Sequence, residues 1–278
     1  MPYITGVDED GKRIVSYIDY PVLSPRLIFE TLFQRYPNEL QKLIAGGPES
    51  FWGKVLPDDP KLADNPMVDI PNWTQLFLPV VIFGDHAPYT KLHSVSIVCW
   101  KFLVSSGPLW HRIFLSIAFP KACAATFKKD GVDTWSVFWQ FMSFEWNSLF
   151  LGFHHARNGF GQLYTDSLSR KLVGQALAGG RFRLCVWVFT TDRDYICNEL
   201  HFPHFNKMNC WFCTLANLRA VGLSKHNLIP LADGLATHPS NSKVFKILGV
   251  CRYTFPGEWM HDVDAGLGVN LWGPLWMI

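Results

Sequence analysis

Several things are scarce in this chain, and each scarcity removes a class. No segment reaches the about 18 uncharged apolar residues of a membrane-spanning helix. The nearest, Phe102 to Phe119, is broken by Ser105-Ser106-Gly107-Pro108 and by His111-Arg112. Charged residues are only 17% of the chain and the net charge is +2, with 10 His. So little excess charge gives no prior for a nucleic-acid partner, although it allows a local basic groove. Met1 to Gly11 is polar and acidic rather than apolar, so no secretory signal is read there. The seven Cys are an odd number, which argues against a secreted disulfide framework and for reduced thiols in nucleus or cytoplasm.

What the chain has is core. Of its 278 residues 49% are hydrophobic, with 12 Trp and 22 Phe. That is enough for one large globular domain or two small ones. Lys12 to Tyr20 reads as a short strand. Ser24-Pro25 starts a helix, with Ser at the N-cap and Pro at the first helical position. Leu27, Phe29, Leu32, Phe33 and Tyr36 follow at helical spacing, and Pro37 ends or kinks the run. A second short helix spans Leu40 to Ala45. From Gly46 to Pro71 the chain is rich in Pro, Asp and Gly and reads as a connector. The expected division is a helical segment and linker over 1–71 and a second domain over 72–278.

The second domain predicts strands over Leu76–Phe83, Val95–Val104 and Trp110–Phe119, a helix over Asp133–Phe150, and a strand over Arg181–Phe189. The helix carries an aromatic face of Trp135, Phe138, Met142, Phe144, Trp146 and Leu149. The order is β-β-β-α-β. Three strands can form an antiparallel meander, and the helix can return the fourth strand alongside the first. That is the layout of an RNase H-like α/β domain with a mixed sheet. It would bring together two carboxylates at strand ends: Asp85, set in a Gly/Pro turn after the first strand, and Asp192 after the fourth. Paired strand-end acids are what a two-metal phosphoryl-transfer site needs. Asp also favours turns for conformational reasons alone, so either acid could be structural.

Two further clusters carry chemistry. Cys197, His201, His204, Cys210 and Cys213 follow the spacing C-x3-H-x2-H-x5-C-x2-C. Two thiolates in a C-x2-C pair with upstream His and Cys can close a structural Zn²⁺ site; the bland alternative is a buried thiol pair beside surface histidines. Glu258 and His261 are one helical turn apart, with Asp262 and Asp264 close by. They could contact a metal or simply occupy a helix N-terminus.

These segments, in this order, resemble CACTA-type (En/Spm-like) DDE transposases. Gly84-Asp85-His86-Ala87-Pro88-Tyr89-Thr90-Lys91 is similar to the family's first-aspartate motif, with His86 where Gly is usual. Asp192 resembles the second aspartate, with Asp194 as a competing assignment. His204 with Cys210 and Cys213 resembles the stretch that follows it. Glu258-Trp259-Met260-His261, then Leu267-Gly268-Val269, resembles the Asp-x2-His motif and its tail, with Glu for Asp.

The resemblance covers Val80 to the C-terminus in four separated motifs. It implies a DNA transposase or nuclease domain in which Asp85 and Asp192 hold Mg²⁺ or Mn²⁺, with His261 near the scissile phosphate. It also implies zinc in the insertion at 197–213 and DNA, as transposon ends, for a partner. A homo-oligomer and a nuclear location are compatible with it; a membrane is not expected. The family's third acid lies beyond the Leu-Gly-Val segment, and this chain stops at Ile278. The expectation is therefore a diverged domain truncated at its C-terminus, with Asp262 or Asp264 as substitute third acids. Two other functions stay open: a non-enzymatic, zinc-stabilised interaction or nucleic-acid-binding module, and a cysteine-dependent hydrolase.

Overall fold

The structure is a computed structural model; it describes residues 1–63, 65–88, 90, 93–105, 112–125, 133–191, 193–200, 202 and 242–255. The chain opens with a hairpin of β1 (Pro2–Val7) and β2 (Arg13–Tyr17). The composition of the first eleven residues hid β1, because most of its side chains are only partly buried and the short run PYITGV shows little apolar alternation. The hairpin is held from elsewhere: the Thr134 hydroxyl donates to Pro2 O at 2.7 Å, and the Tyr3 ring meets Phe119 edge-on at 5.7 Å.

Three short helices follow: α1 (Pro25–Arg35), α2 (Pro37–Leu43) and α3 (Gly47–Trp52). Ser24 caps α1 as its sequence position predicts, accepting from Leu27 N at 3.1 Å. Pro37 ends α1 and starts α2. The stretch read as a connector from Gly46 to Pro71 contains α3 and two fully covered anchors, Trp52 and Met67. Its Pro, Asp and Gly residues make turns, while the apolar residues between them cover one face of a sheet.

Among the described residues that sheet has four strands in the order β5-β4-β3-β6. A short helix, α4 (Trp73–Leu76), leads into β3 (Phe77–Pro88); β4 is Ser94–Phe102, β5 is Phe114–Pro120 and β6 is Arg183–Thr191. β3 pairs antiparallel with β4 and parallel with β6, and β4 pairs antiparallel with β5. The predicted β-β-β-α-β order, meander and return of the last strand to the first are what is observed. The seven residues from Phe77 to Phe83 are nearly all buried because β3 is a central strand covered on both faces, which is why it reads as a continuous apolar run.

α5 (Thr134–Leu151) makes the crossover between β5 and β6, and a short helix, α6 (Ser167–Leu172), lies in the connection that follows it. Asp133 caps it, accepting from Ser136 N at 2.6 Å. It ends at Gly152, whose φ of 79° is the left-handed conformation glycine adopts most readily. The helix is buried well beyond the single face predicted for it, with Trp139, Ser143, Glu145, Ser148 and Phe150 covered as well. Two of these hydroxyls are satisfied within the helix: Ser143 and Ser148 donate to the carbonyls of Trp139 and Phe144.

One core lies between α5, α1 and the sheet face carrying Leu78, Val80, Ile82, Trp100 and Val186; Trp100 and Trp146 meet edge-on at 5.5 Å. A smaller core on the other face joins Phe77, Cys185 and Trp187 to Trp52 and Met67. Each fully buried aromatic side chain of this size is worth about 3–5 kcal/mol against Ala.

A polar chain crosses the first core. Glu145 is 1% exposed and is held by the Ser24 hydroxyl and by Arg26, whose Nη2 is 3.4 Å from Oε1. Arg26 Nη1 also reaches His154 Nδ1 at 3.2 Å, and His154 Nε2 reaches Glu30 Oε1 at 3.0 Å. Arg26 can only donate, so His154 accepts at Nδ1 and donates at Nε2. No helix among the described residues is long and apolar enough to cross a membrane.

Candidate functional site

β3 and β6 run side by side in the same direction, and their register ends with Gly84 opposite Thr191. Asp85 is the next residue on β3. It is exposed, pairs with Ile97 on β4, and its Oδ1 accepts the backbone N–H of His86 at 2.7 Å. The sequence placed Asp85 in a tight turn after a strand ending at Phe83. Instead β3 runs on to Pro88, opposite Ser94, because β4 supplies pairing partners along the whole stretch. Asp85 is thus presented from a paired strand, a firmer platform than a turn.

Asp192 follows Thr191 in the chain and lies outside the described residues. The competing Asp194 falls in α7 (Arg193–Asn198), the helix that begins directly after β6. α7 comes back against the end of β3. The Tyr195 ring lies so close to Gly84 that a Cβ at position 84 would stand 2.5 Å from Cε1. The glycine is needed there for close approach.

Three side chains that local patterns did not single out meet at the residue after Asp85. His86 Nε2 is 3.0 Å from Glu199 Oε1, and His86 Nδ1 is 3.2 Å from Lys121 Nζ. The His86 and Glu199 side chains are only 11% and 4% exposed, so the pair is shielded from water. The His86 ring also packs on Tyr195 at 5.3 Å. In the sequence His86 registers only as the residue after Asp85 in the turn expected there. Glu199 had one legible signal, a carboxylate set between apolar neighbours Ile196, Cys197 and Leu200, since buried charges are paired. Lys121, far away in the chain, had none.

Of the zinc cluster, Cys197 is buried in α7. His201, His204, Cys210 and Cys213 lie outside the described residues, as do Glu258, His261, Asp262 and Asp264. Among the described residues no three His, Cys, Asp or Glu side chains converge as a metal site.

The donor chemistry at Asp85 suits a hard cation: an exposed carboxylate oxygen is what Mg²⁺ and Mn²⁺ take, usually keeping waters in their remaining positions. His86 does not fit that role, because both ring nitrogens are engaged. Nor do the buried thiols suit nucleophilic catalysis. Burial pushes Cys185 up to about 12, outweighing the contact with Asn65, and burial also raises Cys99; a thiol held neutral is a poor nucleophile.

Comparison with known proteins returned no matching family model, no matching curated protein and no matching solved structure.

Proposed function

We propose that this chain is a DDE-type, RNase H-like domain that cleaves and transfers DNA phosphodiester bonds with divalent metal ions. One observation supports the reading above the others: Gly84 and Thr191 are register partners on parallel neighbouring strands, and the residues that follow them in the chain are Asp85 and Asp192. Open α/β sheets bind ligands at the C-terminal ends of such strands.

In this reading Asp85 and Asp192 hold the ions, Mg²⁺ or Mn²⁺. Bound there, two such ions supply Lewis acidity to both the attacking and the leaving oxygen of the scissile phosphate. The protein contributes orientation. The His86 N–H fixes one oxygen of the Asp85 carboxylate, and the β3 ladder fixes the backbone that carries it. His261 stands near the phosphate in this scheme. Cys197, His201, His204, Cys210 and Cys213 supply the ligands of a structural Zn²⁺ that orders the insertion after the second acid. The partner is DNA, and the place of action is the nucleus or the cytoplasm.

The test is Mn²⁺-dependent nicking of supercoiled DNA by the wild type and by Asp85→Asn. Loss of an electrostatic group at the reacting centre should lower the rate by about a hundredfold or more. Equal nicking by both removes Asp85 from the mechanism. A wild type that binds DNA and zinc but never nicks would instead be a binding module. Metal analysis of the same preparations reads the zinc proposal, with Cys210→Ser expected to lose Zn²⁺; zinc content unchanged by that substitution would sink it.

A further inference from the structure

We infer that Glu199 and Lys121 are positioning residues for Asp85, acting through the ring of His86; the inference rests on the metal-dependent reading of Asp85. The ammonium of Lys121 can only donate, so His86 Nδ1 accepts from it at 3.2 Å. The ring proton therefore sits on Nε2 and is donated to Glu199 Oε1 at 3.0 Å. A ring anchored at both nitrogens has no freedom to turn about χ1 or χ2. Its backbone is fixed with it, and the backbone N–H of His86 is the donor that holds Asp85 Oδ1 at 2.7 Å.

The two anchors come from different parts of the chain. Lys121 stands just after β5, in the turn Lys121–Cys123, while Glu199 stands just after α7, seven residues beyond Asp192. The same helix presses Tyr195 onto Gly84. The chain downstream of the second acid thus grips the residue on each side of the first. A carboxylate used as a metal ligand needs such a partner shell, and loss of one costs roughly 10–100-fold in metal affinity. Glu199 is not itself a ligand in this arrangement: it is nearly covered, and it does not converge with Asp85 and His86 into a cation-holding group among the described residues.

The experiment measures Mn²⁺ affinity by electron paramagnetic resonance, and the exchange rate of the His86 amide by NMR. The proteins are wild type, Glu199→Gln, Glu199→Ala and Lys121→Met. Gln and Ala remove the same charge, but Gln keeps an acceptor for Nε2–H. Positioning predicts that Glu199→Ala binds Mn²⁺ about tenfold more weakly than Glu199→Gln, with faster exchange of the His86 amide. Equal affinities in the two variants overturn the inference.

Lys121→Met decides the matter where Glu199→Ala does not fold. Removing a cation beside a metal site tightens Mn²⁺ binding if only charge matters, and weakens it if Lys121 holds the ring. Tighter or unchanged binding then overturns the inference. A wild type that takes up no Mn²⁺ removes the functional reading instead. The His86 amide still reports on the clamp in that case: exchange that is unchanged in Lys121→Met disproves it.

Discussion

Gly84 shows how much one missing side chain can decide. A Cβ there would lie 2.5 Å from Tyr195 Cε1 and 2.7 Å from Cζ, closer than real contacts allow. Gly84→Ala should therefore destabilise the protein by about 1–3 kcal/mol, as overpacking does. Urea unfolding reads this as a lower midpoint, and Tyr195→Leu in the same chain should restore part of the loss. His155 sets a different kind of dependence. Burial, then Arg26, then His154 hold its imidazole below the usual 6.5. The unfolded chain consequently takes up the proton first as pH falls. The stability tied to neutral His155 is complete above about pH 6.5 and is lost as pH drops towards the lowered folded value. The melting temperature should decline over that range, and His155→Gln should flatten the decline. An unchanged profile would assign it to other groups. Neither residue advertises itself in the sequence. Gly84 looks like a turn glycine, and no local pattern marks His155, because the neighbours that matter, Tyr195 and Arg26, are more than a hundred positions away.

Among the elements, α5 and β3 were legible and their tethers were not. Both are long runs of apolar residues with clear end signals: Asp133 and Gly152 for the helix, and the continuous β-rich stretch for the strand. The extent of β3 was missed because pairing to β4, not local composition, keeps Asp85 to Pro88 extended. The link from α1 to α5 was invisible for the same reason. Glu145 reads as one polar position in an aromatic helix; in the fold it is 1% exposed and relies on Arg26 and Ser24. Arg26→Met should leave that carboxylate buried with a poorer partner set and cost about 3–5 kcal/mol. The fall in urea midpoint should come without a change in slope, and Arg26→Met/Glu145→Leu should recover much of it. A midpoint within error of the wild type would show that water reaches Glu145.

At the scale of the whole molecule the N-terminal helices and the sheet share a core. Phe29, Leu40 and Ile44 sit in the same cluster as Leu78, Val80 and Trp146. Unfolding of residues 1–71 should therefore accompany that of the sheet, so that tryptophan fluorescence and far-ultraviolet circular dichroism trace one coincident transition in urea. Two separated transitions would mean that the segments fold apart. The sequence by itself determined the β-β-β-α-β order of the sheet and its crossover helix, with the central position of β3. These depend on local periodicity and end signals, which a single chain displays. Its short motifs also singled out Asp85, because a carboxylate after a buried strand is a local pattern. Only the tertiary structure decided the exact register that sets Thr191 at the level of Gly84, and that Asp85 is held in a paired strand. The grip of Lys121 and Glu199 on His86 was decided there too. Each of these depends on contacts between residues far apart in the chain, and no local pattern records which distant partner a buried polar side chain will find.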